Sequence, residues 1–320
     1  MFRLEALVSP LRADVVSGAA VISRTAADVV RRVAVRAPAD DLDGFRSVLE
    51  ETAAQILDAQ PSLAPVVTLL SLALRAAADD IPLDEARREV ARTAEVFRDD
   101  LLRRSERAGR HLADRIGDGD RIVTLSDSST VRAGLLRAAE RCDFSAVCLQ
   151  SRPMNEGEGL ARRLADAEVS VTFAVDAAMA SVLPGCRAVV LGADSVGDRG
   201  IVNKLGSHPL SLAARAAGVP VWVVADGTKF LPPGFPQPLD DDRPAEEVGR
   251  PHPRARVWNR YFELLPFELV ECLITEDGPL DPHAASARRS VLHLPPEIAR
   301  WAARRAGRAH RRAAPDTPTT

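Results

Sequence analysis

The segment 191–230 reads LGADSVGDRGIVNKLGSHPLSLAARAAGVPVWVVADGTKF and decides the fold. Its pattern predicts a strand that ends in Asp194, a glycine-bearing turn, the pair Asn203 and Lys204, a helix, and a second strand followed by Lys229. In an open parallel sheet, ligands bind beyond the carboxyl ends of the strands. One acid, two amines and one amide would then meet at one edge. This set suits an anionic, hydroxylated small molecule such as a sugar phosphate.

The regions on either side of this segment continue the alternation of strands and helices. Short apolar runs, which predict strands, occupy 121–125, 145–150, 169–175, 187–191 and 220–224. Helical patterns separate several of them, at 130–141, 159–167 and 209–217. This order predicts a Rossmann-like α/β domain with a parallel sheet. Because the strands are continuously apolar, we expect both faces of the sheet to be covered.

The amino-terminal part of the chain has helical periodicity only. Apolar residues between Leu42 and Leu57 fall on one helical face, and a second apolar stripe begins after Pro82. We predict an α-helical N-terminal domain over 1–118, the Rossmann-like domain over 119–294, and an Arg-rich surface helix with a disordered tail over 295–320. A proline-rich loop with the acidic run 240–242 precedes the last α/β segment.

Composition and residue spacing argue against several classes of protein. The net charge of −3 gives no reason to expect nucleic-acid binding. No apolar run is long enough for a membrane span, and the first residues do not resemble a secretory signal, so a cytoplasmic location is expected. The four cysteines lack C-x-x-C spacing and the histidines lack metal-site spacing. We therefore predict no metal site.

Glycine-rich nucleotide motifs are incomplete in this chain. It has no P-loop, and the pair Gly157 and Gly159 supplies only two of the three glycines of a dinucleotide motif, so no cofactor is expected. Ser128 and Ser129 lie where the first strand leads into a helix. Their position fits an anion site, and it fits simple N-capping equally well.

Three further charged residues follow predicted strands. Arg152 suits bidentate contact with a phosphate, although an arginine in a surface loop is common. Asp176 would contact a ligand or only cap the next helix. Asp194 would act as a general base, bond a sugar hydroxyl, or hold its own turn through side-chain-to-backbone bonds.

Several of these segments, taken in order, resemble the family of translation initiation factor 2B alpha, beta and delta subunits. The resemblance covers about residues 121–280, and it is weaker at VVSGAAVISRTAA (15–27). It rests on QSRPMNEGEGLARRLADAEVSVTFAVDAA (150–178), GADSVGDRGIVNKLGSHPLSLAA (192–214), VPVWVVADGTKF (219–230) and FELLPFELVECLITEDGPL (262–280). That family shares its fold with ribose-1,5-bisphosphate isomerase and methylthioribose-1-phosphate isomerase.

The resemblance implies a helical N-terminal domain, a Rossmann-like C-terminal domain, a phosphate-ligand pocket between them, and dimerisation through the C-terminal domain. In the isomerases, a cysteine and an aspartate form the acid/base pair that opens an aldose 1-phosphate to a ketose. Carried onto this chain, the aspartate is Asp194. Asn203 and Lys204 match the family's ligand-contacting pair, and Arg152 matches its arginine. Gly18, Ser128, Ser129 and Lys229 are further candidate ligand-binding residues.

Three positions depart from the isomerase pattern. The cysteine position falls on Ser126, and a hydroxyl titrates far above a thiol, so Ser126 needs an activating partner to replace it. Asp127 follows it but should point elsewhere. The phosphate-binding arginine falls on Ser17, and an acid falls on Gln150. These changes argue against ordinary isomerase activity.

Three functions follow from these observations. The first is an initiation factor 2B-like homodimer or larger oligomer that binds a sugar phosphate or nucleotide phosphate with little or no turnover. The second is a sugar-phosphate aldose–ketose isomerase in which Asp194 is the base and Ser126 or Asp127 assists. The third is a regulatory scaffold that binds a partner protein and leaves its pocket empty.

Overall fold

The computed structural model describes residues 2–14, 17–77, 80–239, 243–252 and 254–313. The acidic run 240–242 and the predicted disordered end 314–320 lie outside these ranges. The first part is helical, as predicted, and consists of α1 (Leu4–Ala13), α2 (Ala19–Arg36), α3 (Leu42–Ala59), α4 (Ala64–Ala76) and α5 (Leu83–Ala113). Nowhere in the described ranges is there a helix long and apolar enough to cross a membrane.

The helical part is held together by the apolar faces that the sequence indicates. Asp41 caps α3 by accepting a hydrogen bond from the Gly44 N–H at 2.8 Å. Phe45 and Leu49 on that helix are fully buried, as are Val90 and Ala94 on α5. Burial of each large apolar side chain contributes about 1.5–3 kcal/mol, so these stripes determine how the helices pack.

The second part is an α/β layer, also as predicted. The strands of the main sheet are β1 (Arg121–Leu125), β2 (Ser145–Leu149), β3 (Ser170–Ala174), β4 (Ala188–Leu191), β7 (Val221–Val224), β9 (Cys272–Thr275) and β10 (Gly278–Leu280). Their spatial order is β10-β9-β7-β4-β1-β2-β3, and every pairing is parallel except that of β9 with β10. Helices α6 (Ser129–Ala139), α7 (Glu156–Asp166) and α8 (Ser207–Ala216) connect the strands. The order reverses at β1, which is where a parallel sheet forms a ligand crevice.

The expectation that both faces of the sheet are covered fails at one edge. In β3, Phe173 is 48% exposed, and just beyond the strand Val175 is 57% exposed. The reason is its position: β3 is the last strand of the sheet and has a strand neighbour on one side only. The central strands β4 and β7 are buried throughout, as predicted.

A small antiparallel sheet replaces the simple glycine turn expected after Asp194. It consists of β5 (Ser195–Gly197), β6 (Gly200–Lys204) and β8 (Phe262–Leu265), in the order β5-β6-β8. Gly200 has φ +129°, and a Cβ there would lie 2.4 Å from the Leu265 carbonyl oxygen, so this crossing requires glycine. As a result, Asn203 and Lys204 lie on a strand.

The carboxyl-terminal helices α9 (Ala285–Ser290) and α10 (Pro296–Ala313) complete the described chain. The sequence predicted a surface helix, but Ile298, Trp301 and Ala302 bury one face of α10 in the core of the N-terminal helices. The Trp301 indole N–H also donates to Asp58 Oδ1 on α3 at 2.9 Å. The proposed domain limits at 118 and 294 stay predictions.

Candidate functional site

A cavity of about 490 Å³ lies between the helical part and the carboxyl edge of the parallel sheet. The amino-terminal ends of α2 and α6, the strand β6 and the loop after β7 all contribute to its wall. Nearly all of the side chains singled out in the sequence line it: Gly18, Ser126, Ser128, Ser129, Asp194, Asn203, Lys204 and Lys229. The fold therefore brings together residues from four separate parts of the chain.

Asp194 lies between β4 and β5, and its backbone is held from two sides. Its N–H donates to Val202 on β6 at 2.9 Å, and its carbonyl accepts from the Ala64 N–H of α4 at 3.1 Å. Burial raises the pKa of its carboxyl group to about 6, while Lys229 and Lys204 act in the opposite direction. A carboxyl group with this pKa is suited to exchange protons near neutral pH.

Two cationic side chains of this site are lysines, a residue type that is rare in this chain. Lys204 and Lys229 are its only lysines among 42 Lys and Arg residues, and both line the cavity. Lys229 is 7% exposed, and the described part of the chain offers its ammonium group neither a hydrogen bond nor an ion pair within 4 Å. A buried ammonium group without a partner favours binding of an anion.

The loop that carries Lys229 is held by a buried carboxylate. Asp226 caps it by accepting from the Thr228 N–H at 2.9 Å. Glu276, 1% exposed at the end of β9, accepts from the Gly227 N–H at 2.8 Å and from Arg288 of α9 at 2.9 Å. These bonds fix the backbone immediately before Lys229.

Lys204 makes an ion pair that the sequence reading missed. Its Nζ lies 2.8 Å from Oε1 of Glu156, the first residue of α7, and 5.5 Å from the centre of the Tyr261 ring. Glu156 and Tyr261 both line the cavity. The available signal was the position of Glu156, an acid between the predicted strand 145–150 and the predicted helix 159–167.

Ser126 directly follows β1, lines the cavity and has a left-handed backbone, φ +68°. Its N–H donates to Ser151 Oγ at 2.6 Å. Its own hydroxyl makes no hydrogen bond to the residues that the structure describes, so nothing there activates it as an acid or base. None of the four cysteines lines the cavity, and burial raises the pKa of the Cys148 thiol to about 12.

Asp127 lines the cavity, but both oxygens of its carboxylate are bound by arginines. Arg132 binds its Oδ1, and Arg163 of α7 binds its Oδ2 at 2.9 Å. Both arginines also line the cavity. A Cβ on Gly159 would approach Arg163 Nη1 to 3.0 Å, so glycine leaves room for this pair. Sequence reasoning missed both arginines because their charge is common on helices.

Ser128 performs the capping role that the sequence allowed, since its Oγ accepts from the Val131 N–H at 3.5 Å. Gly192 has to be a glycine because a Cβ there would lie 2.6 Å from Ser128 Cβ. Asn203 donates from Nδ2 to Ser207 Oγ at 2.9 Å and so ties β6 to α8. Gly18 precedes α2, and nothing lies within 4 Å of a Cβ placed there.

Arg152 does not belong to this group. Its side chain is exposed and donates to the Glu247 carbonyl at 2.7 Å, and it does not line the cavity. The reason is local: Asp176 accepts from the N–H groups of Ser151 and Arg152, each at 2.7 Å, and this holds the loop with the arginine turned outward. Asp176 thus anchors a loop.

Metal ligands do not cluster in the described part of the chain, where no group of three or more His, Cys, Asp or Glu side chains could hold an ion. The charged groups of the cavity are instead carboxylates beside cations: Glu156 is paired with Lys204, Asp127 is paired with two arginines, and both lysines lower the pKa of Asp194 electrostatically. This arrangement can bind an anion and exchange protons with it.

Comparison with known proteins gives relatives that include two kinds of sugar-phosphate isomerase and a putative translation initiation factor eIF-2B subunit 2-like protein of Pyrococcus furiosus, 30% identical over 71% of this chain and 79% of that protein. The ribose 1,5-bisphosphate isomerase of Haloferax volcanii is 30% identical over 283 residues, which cover 84% of this chain and 86% of that protein. The methylthioribose-1-phosphate isomerase of Geobacillus kaustophilus is 29% identical over 287 residues, with 82% and 80% covered.

A solved structure has the same fold. The translation initiation factor eIF-2B of Pyrococcus horikoshii OT3 superposes with a TM-score of 0.76 at 25% identity, over 88% of this chain and 98% of that one. The model of the Initiation factor 2 subunit family matches residues 15–282. Since that match takes in both the helical part and the parallel sheet that enclose the cavity, the chain belongs to the Initiation factor 2 subunit family.

Proposed function

We propose that this chain is an isomerase that converts an aldose 1-phosphate into the ketose 1-phosphate in this cavity. One observation carries the proposal: Asp194, whose pKa is about 6, shares the cavity with both lysines of the chain. Isomerisation needs a proton-transfer group near neutral pH and a cation for the phosphate, and these residues supply both. The two isomerase relatives support the same reaction class.

Each residue has a separate task in this proposal. Lys229, which is buried and has no ion pair within 4 Å in the described chain, binds the phosphate as a point charge. Asn203 and Lys204 on β6 contact the sugar hydroxyls. Asp194 transfers a proton to and from a sugar oxygen. The helical wall of the cavity, which includes Gly18, excludes water.

A second candidate is ligand binding without turnover, which the sequence favoured. One observation supports it: the hydroxyl of Ser126, which the sequence resemblance puts at the position of the isomerases' cysteine, has no activating partner among the described residues. In that case, the same cavity would hold a sugar phosphate or a nucleotide phosphate as a regulatory ligand. The scaffold function would leave the cavity empty.

We also propose that the protein is a homodimer or a larger homo-oligomer. The exposed edge strand β3, with Phe173 and Val175 outward, offers unpaired backbone groups beside apolar side chains. Such an edge is normally covered in a stable protein. Light scattering of Phe173→Lys against the wild type tests this, since the charge would weaken an apolar contact between copies.

The proposed function is tested with pentose 1-phosphates that differ at C5: ribose 1-phosphate, ribose 1,5-bisphosphate and 5-methylthioribose 1-phosphate. Ketose formation is followed by NMR, and binding by thermal melting. A ligand at about one hundred times its dissociation constant stabilises a protein by about 2.7 kcal/mol. Asp194→Asn should abolish turnover and keep binding, while Asp166→Asn, an exposed control outside the cavity, should behave as wild type.

The outcomes separate the three functions. Turnover that depends on Asp194 supports the isomerase. A melting shift without turnover overturns the isomerase and supports the binding protein. The absence of any shift with the three sugars, AMP and GDP supports the scaffold.

A further inference from the structure

We propose that Glu156 is a catalytic residue, the second proton-transfer group of the cavity, acting together with Asp194. The inference rests on the proposed isomerase function and names the group that replaces the missing thiol. It is drawn from the geometry of the carboxylates in the cavity. Glu156 lies on a different element from Asp194, since it begins α7 while Asp194 follows β4.

The other carboxylates that line the described cavity are already engaged. Both oxygens of Asp127 bind guanidinium groups. Asp226 is 1% exposed, and its Oδ1 accepts from the backbone and the hydroxyl of Thr228. Asp14 accepts from a backbone N–H at 2.8 Å. Protonation of these carboxylates would weaken bonds that hold backbone N–H groups or two arginines in place, so they serve the structure of the cavity wall.

Glu156 differs from these three residues. Its Oε1 pairs with Lys204, while its Oε2 is buried and has no hydrogen-bond partner among the described residues. Its side chain is 23% exposed. The ion pair fixes the carboxyl group at the cavity wall and leaves one oxygen without a bond. A buried acceptor without a partner is energetically costly, by about 1–3 kcal/mol, unless a ligand or a proton satisfies it.

Glu156 and Asp194 are also close enough to interact. The charge of Glu156 is one of the causes that raise the pKa of Asp194, after burial and against the two lysines. When two carboxyl groups of one cavity have different surroundings, one of them can hold its proton while the other is ionised. The first then acts as an acid and the second as a base. Asp194, with no ion pair inside 4 Å among the described residues, is the acid, and Glu156, paired with Lys204, is the base.

These two groups account for every proton transfer of the reaction. Protonated Asp194 gives its proton to the ring oxygen as the bond from that oxygen to C1 breaks, and the phosphate-bearing C1 becomes an oxocarbenium. Glu156 removes the C2 proton, and the electrons of that bond form the C1–C2 double bond. Asp194 then takes the proton of the 2-hydroxyl as C2=O forms, and Glu156 returns its proton to C1. Both residues regain their starting state, and no oxidant or other reactant is consumed.

Glu156→Gln tests this role, with Glu158→Gln as the matched control. Glu158 lies on the same helix, is 51% exposed, pairs with Arg162 and does not line the cavity. General acid–base catalysis contributes about 10²–10⁴-fold, so kcat should fall by at least about 100-fold in Glu156→Gln. KM should change little, Glu156→Asp should recover part of the rate, and Glu158→Gln should match the wild type.

The split between kcat and KM distinguishes a proton carrier from a residue that only positions Lys204. Loss of a proton carrier lowers kcat and leaves KM nearly unchanged, whereas a variant that merely misplaces Lys204 would raise KM and keep kcat. In the wild type, kcat should fall as the pH rises through about 6, because Asp194 loses its proton there.

Each result decides between the two proposals. Wild-type turnover that survives in Glu156→Gln, or a loss in that variant that is confined to KM, overturns the role of Glu156 and leaves the isomerase standing. Absence of turnover in the wild type with all three pentose 1-phosphates overturns the isomerase and the role of Glu156 with it. Melting curves of both glutamate variants confirm that each is folded.

Discussion

Lys204 Nζ lies 2.8 Å from Glu156 Oε1, and this ion pair joins the small antiparallel sheet to the first turn of α7 across the cavity. The two residues are 48 positions apart in sequence. One lies on β6 of the small sheet and the other on α7, which connects two strands of the main sheet. The pair therefore fixes the width of the cavity on this side. It also leaves Lys229 as the cation available to an incoming anion.

Lys229→Met should weaken binding of ribose 1-phosphate by about 10- to 100-fold, because a charge-assisted hydrogen bond is worth about 1.5–3 kcal/mol. The variant should melt no lower than the wild type without ligand, since it removes a buried charge that has no ion pair in the described chain. Thermal melting with and without ligand measures both effects, with Arg162→Gln as an exposed control. A lower melting temperature in the absence of ligand would contradict this account.

Reductive methylation of lysine side chains reports on the cavity, because Lys204 and Lys229 are the only lysines of the chain and both line it. We expect a phosphorylated ligand to protect Lys229 more than Lys204, whose ammonium group is already paired with Glu156. Peptide mass spectrometry quantifies methylation at each site. Equal protection of both lysines would mean that the phosphate contacts both of them.

Asp194 should make the stability of the protein depend on pH. Its pKa is raised by burial from an ordinary value near 4 to about 6, so the folded state binds the proton more tightly than the unfolded state. The free energy of unfolding therefore falls as the pH rises from about 4 to about 6, by roughly 2–3 kcal/mol from this group.

Asp194→Asn removes this pH dependence. We expect it to be more stable than the wild type above pH 6, with the difference vanishing below pH 4. Urea unfolding at pH 4, 6 and 8 measures the difference, and Asp166→Asn serves as the control. A difference that grows toward low pH would have the wrong sign for a raised pKa.

Asp127→Ala should destabilise the protein by about 1–3 kcal/mol, because it leaves Arg132 and Arg163 without their shared carboxylate at the cavity wall. The matched control is Glu158→Ala, which breaks an exposed pair on α7 that is worth at most about 0.5 kcal/mol. Urea unfolding compares the two. Asp127→Ala should also bind inorganic phosphate more tightly than the wild type, since two guanidinium groups become available.

Gly157→Ala should destabilise the fold by about 3 kcal/mol or more, since the added Cβ would lie 1.8 Å from the Leu149 carbonyl oxygen. Gly18→Ala should be tolerated because nothing lies within 4 Å of its Cβ. Gly18 lines the cavity, so any loss of ligand affinity in that variant reports on the ligand and not on folding. Melting and ligand titration of the two variants separate these effects.

Much of the fold was predictable because its causes are local. Helical stripes such as Phe45 to Leu57, and apolar runs such as 221–224, follow from side-chain periodicity within a few residues. The position of Asp194 beyond a strand was predictable for the same reason. The hairpin after it was not, because β6 is stabilised by pairing with β8, some 60 residues later in the chain.

The sequence by itself determined most of the element types and the chemical character of the crevice, since these depend on near neighbours and on family motifs. Only the tertiary structure decided the order of the strands and which side chains line the cavity. It turned Arg152 outward through Asp176, bound Asp127 to two arginines, and brought Glu156 to Lys204. These side-chain pairs form between segments that are distant in sequence. Their geometry depends on how whole helices and strands pack, and a local sequence pattern does not predict that packing.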